Sequence, residues 1–510
     1  MKILDCTLRD GGYYTNWDFD KDSVYQYIGA LNDLPIDYIE VGYRSTLQDS
    51  YYGKFFYLPI YELQELRAKS NKKLVVILNE KDVRIADLDQ LLKPIVGLVD
   101  MIRMAIDPNN LERAVRLAKE VKSYGFEVGF NVMYMSKWKQ NNDFLANLDQ
   151  VNGVVDCFYM VDSYGGVYPE DVEEIISIVK EKVACPLGFH GHNNLELALT
   201  NSLKAISCGV EYIDATILGM GRGAGNLKTE LLLTVLNQKY ALDVNFNALE
   251  RAVSAIEPLL NTYKWGTNLP YMISGSNSLP QKDVMDWVTT RFYSLNSIIR
   301  ALSNQKNKVD DNEKYPIANF GVNEKVLIVG GGPSVADNIN GILAFLEEDV
   351  NISIIHASSK NAAYFKHLNN TQYFCLVGNE GRRLERVLDD LANFNGQCVL
   401  PPYPRKMGTY VPKSVIDKTY ELDKIDFTDR MQDAHTTIAL QVVKNLNAKE
   451  VFLVGYDGYS SDNVSKKELE LINENEYLFD LAKRNFSKFI SLSKSSYNIN
   501  SSSNIFYLLS

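Results

Sequence analysis

Eight short β-rich runs, separated by longer amphipathic stretches, constrain this chain more than any other feature. They are Lys2–Cys6, Tyr38–Val41, Leu74–Leu78, Met101–Met104, Glu127–Val132, Cys157–Val161, Leu187–His190 and Tyr212–Thr216. Stretches such as Leu111–Tyr124 and Pro169–Lys182 lie between most of them, with apolar residues at helical spacing. Like-directed strands need crossover connections, usually helices. Eight strand–helix units in a row therefore predict a parallel (β/α)8 TIM barrel. In that architecture chemistry sits just past the C-terminal ends of the strands, so the residues following each run are the candidates.

The remainder has a different texture. Val244–Tyr315 reads as helices with a loop around Trp265–Ser278, and Asn304–Asn323 is polar enough to be a connector. A second α/β pattern then starts at Glu324, with later strand candidates at Ile352–His356, Tyr373–Val377 and Val451–Val454. The fold class expected is α/β, a TIM barrel followed by a smaller Rossmann-like domain. The expected division is 1–290 for the barrel with a helical extension, 291–322 for a linker and 323–486 for the Rossmann-like domain. The Ser- and Asn-rich end, 487–510, reads as a loosely ordered tail with one apolar patch at Ile505–Leu509.

Composition excludes several classes. With 510 residues, 46% hydrophobic and 23% charged, the chain is neither fibrous nor wholly disordered. Lys and Arg number 53 against 64 Asp and Glu, a net charge of −11 that argues against a nucleic-acid or anionic-membrane partner. No stretch has the roughly 18–20 apolar residues of a membrane span, and the start, Met1-Lys-Ile-Leu-Asp-Cys6, has no signal-peptide core. The six cysteines, Cys6, Cys157, Cys185, Cys208, Cys375 and Cys398, are scattered without a CxxC pair. Buried thiols in a reducing cytoplasm are expected.

Three motifs fall at the ends of the first, seventh and eighth runs: Asp5-Cys-Thr-Leu-Arg9-Asp10-Gly-Gly12, Gly188-Phe-His190-Gly-His192-Asn-Asn194 and Gly219-Met-Gly-Arg-Gly-Ala-Gly225-Asn226. Closing the barrel makes these three strands neighbours. Residues two apart on a strand point to one side, so His190 and His192 can reach one ion. Two imidazoles with the Asp10 carboxylate suit a divalent metal, and Asn226 can add a neutral oxygen. The alternative, two polar residues at a strand terminus, is weakened because two of only five histidines stand together there.

On these residues the first part of the chain, roughly 1–290, resembles the DRE-TIM metallolyases. Arg9 and Asp10 match the motif after strand one, Glu40 the strand-two Glu, His190 and His192 the metal-binding histidines, and Asn226 the Gly-Asn pair. The resemblance implies Mn2+ or Mg2+ held by Asp10, His190, His192 and Asn226. It implies a 2-oxo acid chelated there, with Arg9, Asp10 and Glu40 serving the chemistry of its enolate. Arg9 can equally be a structural partner of Glu40, and the two roles are compatible.

Within that superfamily the loop Leu218–Asn226 has no Cys, unlike hydroxymethylglutaryl-CoA lyases. It also lacks the Gly-Glu-Arg of isopropylmalate and homocitrate synthases, which weakens an acyl-CoA-dependent Claisen carboligase. Gly223-Ala-Gly-Asn226 reproduces the loop of 4-hydroxy-2-oxovalerate aldolases. The resemblance thus implies a metal-dependent pyruvate aldolase acting on a 2-oxo acid and an aldehyde. Those aldolases carry an acid/base His where this chain has Tyr13, a poorer base at neutral pH. Tyr271 is a further candidate for the substrate pocket, with aromatic packing as the alternative.

In the second pattern, Val326-Leu-Ile-Val-Gly330-Gly331-Gly332-Pro333-Ser334 is strand, glycine turn and helix start, which suits a phosphate but is not the full dinucleotide fingerprint. With the later Val454-Gly-Tyr-Asp457 it resembles a Rossmann-like group that includes 6-hydroxymethylpterin diphosphokinase-like proteins and some glycosyltransferases. That implies a nucleotide at Gly330, Gly331, Gly332 and Ser334, with Asp457 on ribose or metal, and makes a nucleotide-dependent transferase a second candidate activity. No interface is legible, and a homo-oligomer stays an alternative to a monomer.

Overall fold

In the computed structural model the eight runs form one closed parallel barrel: β1 Lys2–Asp5, β2 Tyr38–Tyr43, β3 Lys73–Asn79, β4 Met101–Ile106, β5 Glu127–Val132, β6 Cys157–Asp162, β7 Leu187–Gly191 and β8 Tyr212–Ala215. The structure describes residues 1–289, 293, 295–309, 313–389, 391, 393–405, 407–459, 464, 466–499 and 504–510. It divides into two units, Met1–Met285 and Asp286–Ser510.

In the first unit β1 closes the ring. Its residues Lys2 to Asp5 face Tyr212 to Ala215 of β8, and Leu4 and Asp5 face Tyr38 and Ile39 of β2. Alternation along the strands sorts the side chains. Ile3, Ile39, Leu74, Val76 and Ile102 pack against the surrounding helices. Leu4, Cys6, Tyr38, Val75, Met101 and Tyr159 belong to a separate cluster that fills the interior. Between β2 and β3 the register slips, with Glu40 opposite Val75 but Gly42 opposite Val76. The bulge re-aims the strand beside Glu40. Gly42 is required there, because a Cβ would lie 2.0 Å from the Phe55 carbonyl oxygen.

The second unit holds seven parallel strands: β9 Lys325–Val329, β10 Ser353–His356, β11 Gln372–Cys375, β12 Gln397–Leu400, β13 Thr419–Glu421, β14 Glu450–Val454 and β15 Lys488–Ser491. Their order is β13-β12-β11-β10-β9-β14-β15. The chain therefore runs outward from β9, then returns to β14 on its other side. The glycine turn after β9 and Gly455–Gly458 after β14 meet at this switch point.

Three expectations change here. The segment expected as linker contains the helix Leu295–Asn307. The strands β12 and β13 have only four and three residues, too short for a periodic signal. The end expected to be loose supplies the edge strand β15, paired along its length with β14. Its polar neighbours hide the apolar pair Phe489 and Ile490, both buried. Ile505 is buried as well, while residues 500–503 lie outside the described set. Phe489 packs on Phe479 at 5.7 Å between ring centroids. Phe489→Ala is expected to lower the stability of this unit by about 3–5 kcal/mol, read as a fall in its urea midpoint.

Candidate active site

The site begins with how β1 ends. Asp5 is fully buried, and its Oδ1 accepts from the Thr7 N–H at 2.9 Å, the Thr7 hydroxyl at 2.6 Å and the Tyr27 hydroxyl at 2.5 Å. Its Oδ2 accepts from the Thr229 hydroxyl at 2.7 Å. This fixes the turn into the helix Thr7–Thr15, whose first turns carry Arg9 and Asp10 over the barrel mouth. Gly12 is obligatory, since a Cβ would lie 2.2 Å from the Trp17 indole.

From Arg9 a closed ring of buried ionic contacts runs around the mouth. Arg9 pairs with the adjacent Asp10 carboxylate, and its Nε donates to Glu40 Oε2 at 2.6 Å. Glu40 Oε1 faces Arg103 at 3.5 Å. Arg103 donates to Asp214 Oδ2 and to Asn131 Oδ1, both at 2.6 Å, and its guanidinium lies 3.9 Å from the centre of the Tyr159 ring. Asp214 Oδ2 meets His190 Nδ1 at 2.8 Å, and His190 Nε2 returns to Asp10 Oδ2 at 3.5 Å.

The protonation states follow from this ring. Burial alone would raise the Asp10 carboxyl, but Arg9, His190, His192 and Asn226 hold it below the usual range. The same opposition, with Arg103 and His190, lowers Asp214. Burial and the neighbouring His190 keep His192 neutral, the form able to donate a lone pair. At the end of β6, burial outweighs bonds from the Val167, Gly166 and Gly165 N–H groups and raises Asp162 to about 6.

Among the buried polar atoms at this place that lack a hydrogen-bond partner are His192 Nδ1 and Asn226 Oδ1. Asn226 Nδ2 donates to Asp10 Oδ2 at 2.6 Å. The bridge between His192 and Asn226 holds the glycine loop against the end of β7. A carboxylate, two imidazoles and an amide oxygen are a donor set that fits a divalent cation. Among the described residues, the ligand atoms that lie within 4.8 Å of one another are those of Cys6, His190 and Asp214. Burial and the Asp10 charge push the Cys6 thiol up, so it stays protonated, and Asp214 orients His190 rather than competing with it.

A cavity of about 280 Å3 opens onto this floor. Arg9, Asp10, Tyr13, His190 and His192 line it, as the sequence predicts. Glu40 and Asn226 stand behind that lining, against Arg9 and Asp10. Tyr271 is not among the lining residues. It is buried behind the glycine loop, where a Cβ on Gly223 would touch its ring at 3.4 Å, and its carbonyl accepts from Asn194 Nδ2 at 3.0 Å. Sequence reasoning missed Arg103 and Asp214. Both sit mid-strand, and the only available signal was a charged residue inside each apolar run.

In the second unit the structure brings Ser334 and Asp457 together. The Ser334 N–H donates to Asp457 Oδ2 at 2.9 Å, and its hydroxyl binds the same carboxylate. The Gly330 and Gly332 N–H groups donate to the carbonyls of Val454 and Gly455, both at 2.8 Å. The donors that the phosphate reading places at Gly330, Gly332 and Ser334 are therefore occupied by the protein itself. A Cβ on Gly331 would lie 3.4 Å from Ser358 Oγ.

Comparison with known proteins adds to this geometry. The family model described as HMGL-like matches residues 100–256. A 4-hydroxy-2-oxovalerate aldolase of Pelotomaculum thermopropionicum is 33% identical over 278 residues, covering 51% of this chain and 77% of that one. The chain belongs to the HMGL-like (DRE-TIM) family. An oxaloacetate decarboxylase of Mycobacterium tuberculosis is 28% identical over 240 residues, covering 46% of this chain and 70% of its own. The crystal structure of the N-terminal domain of a candidate aldolase from Bacteroides vulgatus is 58% identical, with a TM-score of 0.57, covering 59% of this chain and all of that one. These relatives place this HMGL-like barrel on the aldolase-like side of the family, among the oxo-acid lyases.

Arg103 is the keystone of the ring. Arg103→Met leaves Glu40 and Asp214 facing each other without their shared cation. It is expected to cost about 3–5 kcal/mol, measured by chemical denaturation, because a half-broken buried pair costs more than an absent one.

Proposed function

We propose that the barrel is a divalent-metal-dependent aldolase that breaks or makes the C3–C4 bond of a 4-hydroxy-2-oxo acid through the enolate of its 2-oxo acid half, pyruvate being the simplest. The observation that carries this reading is Arg9, held by Asp10 and Glu40 on the cavity where two histidines and Asp10 converge. Asp10, His190, His192 and Asn226 are the residues that would hold Mn2+ or Mg2+. When bound, the ion supplies a Lewis acid to the keto oxygen.

The protein's own groups account for the rest. Arg9 offers that oxygen a charge-assisted hydrogen bond that strengthens as negative charge builds. Its two carboxylate partners fix its direction before substrate arrives. Asp214 accepts from His190 Nδ1, which leaves Nε2 facing Asp10. In the cleavage direction the 4-hydroxyl loses its proton as the C3–C4 electron pair becomes the C2=C3 bond of the enolate. A proton then returns to C3. Tyr13 is the proton carrier on the cavity wall, and its hydroxyl lies 3.3 Å from that of Tyr43, a path for relay.

A second reading is favoured by Tyr13 standing where a His is expected, and by the decarboxylase relative. Loss of CO2 from a 2-oxo dicarboxylate leaves the same enolate and requires no base on a hydroxyl. Release of CO2 rather than aldehyde separates the two.

With Mn2+ and pyruvate in D2O, the methyl protons are expected to exchange, followed by NMR. Asp10→Asn should abolish exchange while its circular dichroism stays that of the parent. Metal-independent exchange, or none in the parent protein, overturns the reading. Tyr13→Phe is expected to slow aldehyde-forming turnover by about a hundredfold or more.

A further inference from the structure

The cavity has a cation that the chemistry above does not use. Arg222, in the glycine loop after β8, lines it, and its guanidinium lies 5.3 Å from the centre of the Tyr13 ring. Its Nε is buried and has no hydrogen-bond partner. It stands over the mouth, in a lining it shares with His192 and Tyr134. Among the described residues it makes no ion pair. Asp107 lines the same cavity, but its Oδ1 accepts from the Asn109 N–H at 2.9 Å as the cap of the turn Pro108–Asn110.

A guanidinium pressed on an aromatic ring, with a buried donor left free, is a costly arrangement unless an anion completes it. The carboxylates on the floor are not available to it. Asp10 and Glu40 are engaged by Arg9, and Asp214 by Arg103 and His190. An anionic group carried by the substrate would complete the arrangement. The floor holds the 2-oxo acid end, and Arg222 stands beside Tyr13, where the departing or arriving half lies. Tyr14 fixes this placement by donating to the Gly223 carbonyl at 2.9 Å, which ties the helix Thr7–Thr15 to the loop. A planar fork of donors matches a carboxylate bidentately.

We propose that Arg222 is a specificity-determining residue that selects a substrate bearing a second carboxylate, at the end remote from the 2-oxo acid group. The proposal rests on the enolate-forming reading and narrows it. The substrate class is a 2-oxo dicarboxylate, or a 4-hydroxy-2-oxo acid whose aldehyde half is itself acidic.

The test is binding of two ligands of equal length, 2-oxoglutarate and 2-oxopentanoate, which differ in a terminal carboxylate against a methyl group. Calorimetry on the Mn2+-loaded full chain should show 2-oxoglutarate bound about tenfold or more tightly, since one charge-assisted bidentate contact carries that discrimination. Arg222→Gln should bring the ratio towards one, and Arg222→Lys should restore part of it. Unfolding midpoints near that of the parent show that both variants are folded. A parent protein without preference, or a preference that survives Arg222→Gln, overturns the proposal. So does an equal loss of affinity for both ligands in that variant, because it puts Arg222 on the shared 2-oxo acid end. Pyruvate exchange in D2O is read on the same samples. Its absence sinks the enolate reading alone, whereas exchange without carboxylate preference sinks this one alone.

Discussion

The ring of buried charges around the barrel mouth is the interaction on which the site depends. It passes from Asp10 through Arg9, Glu40, Arg103, Asp214 and His190 and returns to Asp10. It contains two cations, Arg9 and Arg103, and three anions, Asp10, Glu40 and Asp214, with His190 set between Asp10 and Asp214. Burying such a set is expensive, and pairing offsets the cost only in part. Beside the ring lie His192 and Asn226, whose Nδ1 and Oδ1 have no protein partner. The same ring orients Arg9 and His190, so the interaction that stabilises the mouth also prepares it for chemistry.

Most of the barrel could be read from the chain because its signal is repetitive. Each strand is a short apolar run and each crossover an amphipathic stretch, and all eight strands lie where the alternation puts them. Asp10, His190 and His192 were legible for a local reason: they fall just past strand ends, at spacings that mean something on a strand. Arg103 and Asp214 were not. Their importance is a matter of which strands face each other across the interior, and a linear pattern carries no such information. Tyr271 shows the reverse error. A loop aromatic near the site in sequence packs behind the glycine loop rather than onto the cavity. In the second unit, three- and four-residue strands and the polar flanks of Phe489 and Ile490 leave too few periods to register.

The two units use the same element, a strand ending in a tight turn into a helix, to opposite ends. In the barrel, Asp5 lies before the turn and satisfies Thr7, Tyr27 and Thr229, which frees Arg9 and Asp10 to face the cavity. After β9, the turn is closed from outside by Asp457, which takes the Ser334 N–H and hydroxyl. A motif read from sequence fixes the path of the backbone. What it presents to a ligand depends on where the satisfying carboxylate comes from.

Tyr13, which stands where the aldolases carry a His, shares one wall of the cavity with Arg222. The floor holds Asp10, His190 and His192, the groups proposed to face the electron-accepting end of a 2-oxo acid. Tyr13 and Arg222, which contact each other through ring and guanidinium, come from the helix after β1 and the loop after β8. On the proposed reading, this wall bears on what is attached to the enolate carbon and not on the groups that stabilise the enolate. A phenol is a weak base at neutral pH, and the guanidinium beside it is a second group able to donate to an anionic oxygen. Tyr13, the proposed proton carrier, and Arg222, the proposed carboxylate partner, thus stand together, and on that reading the wall sets the partner while the floor sets the reaction.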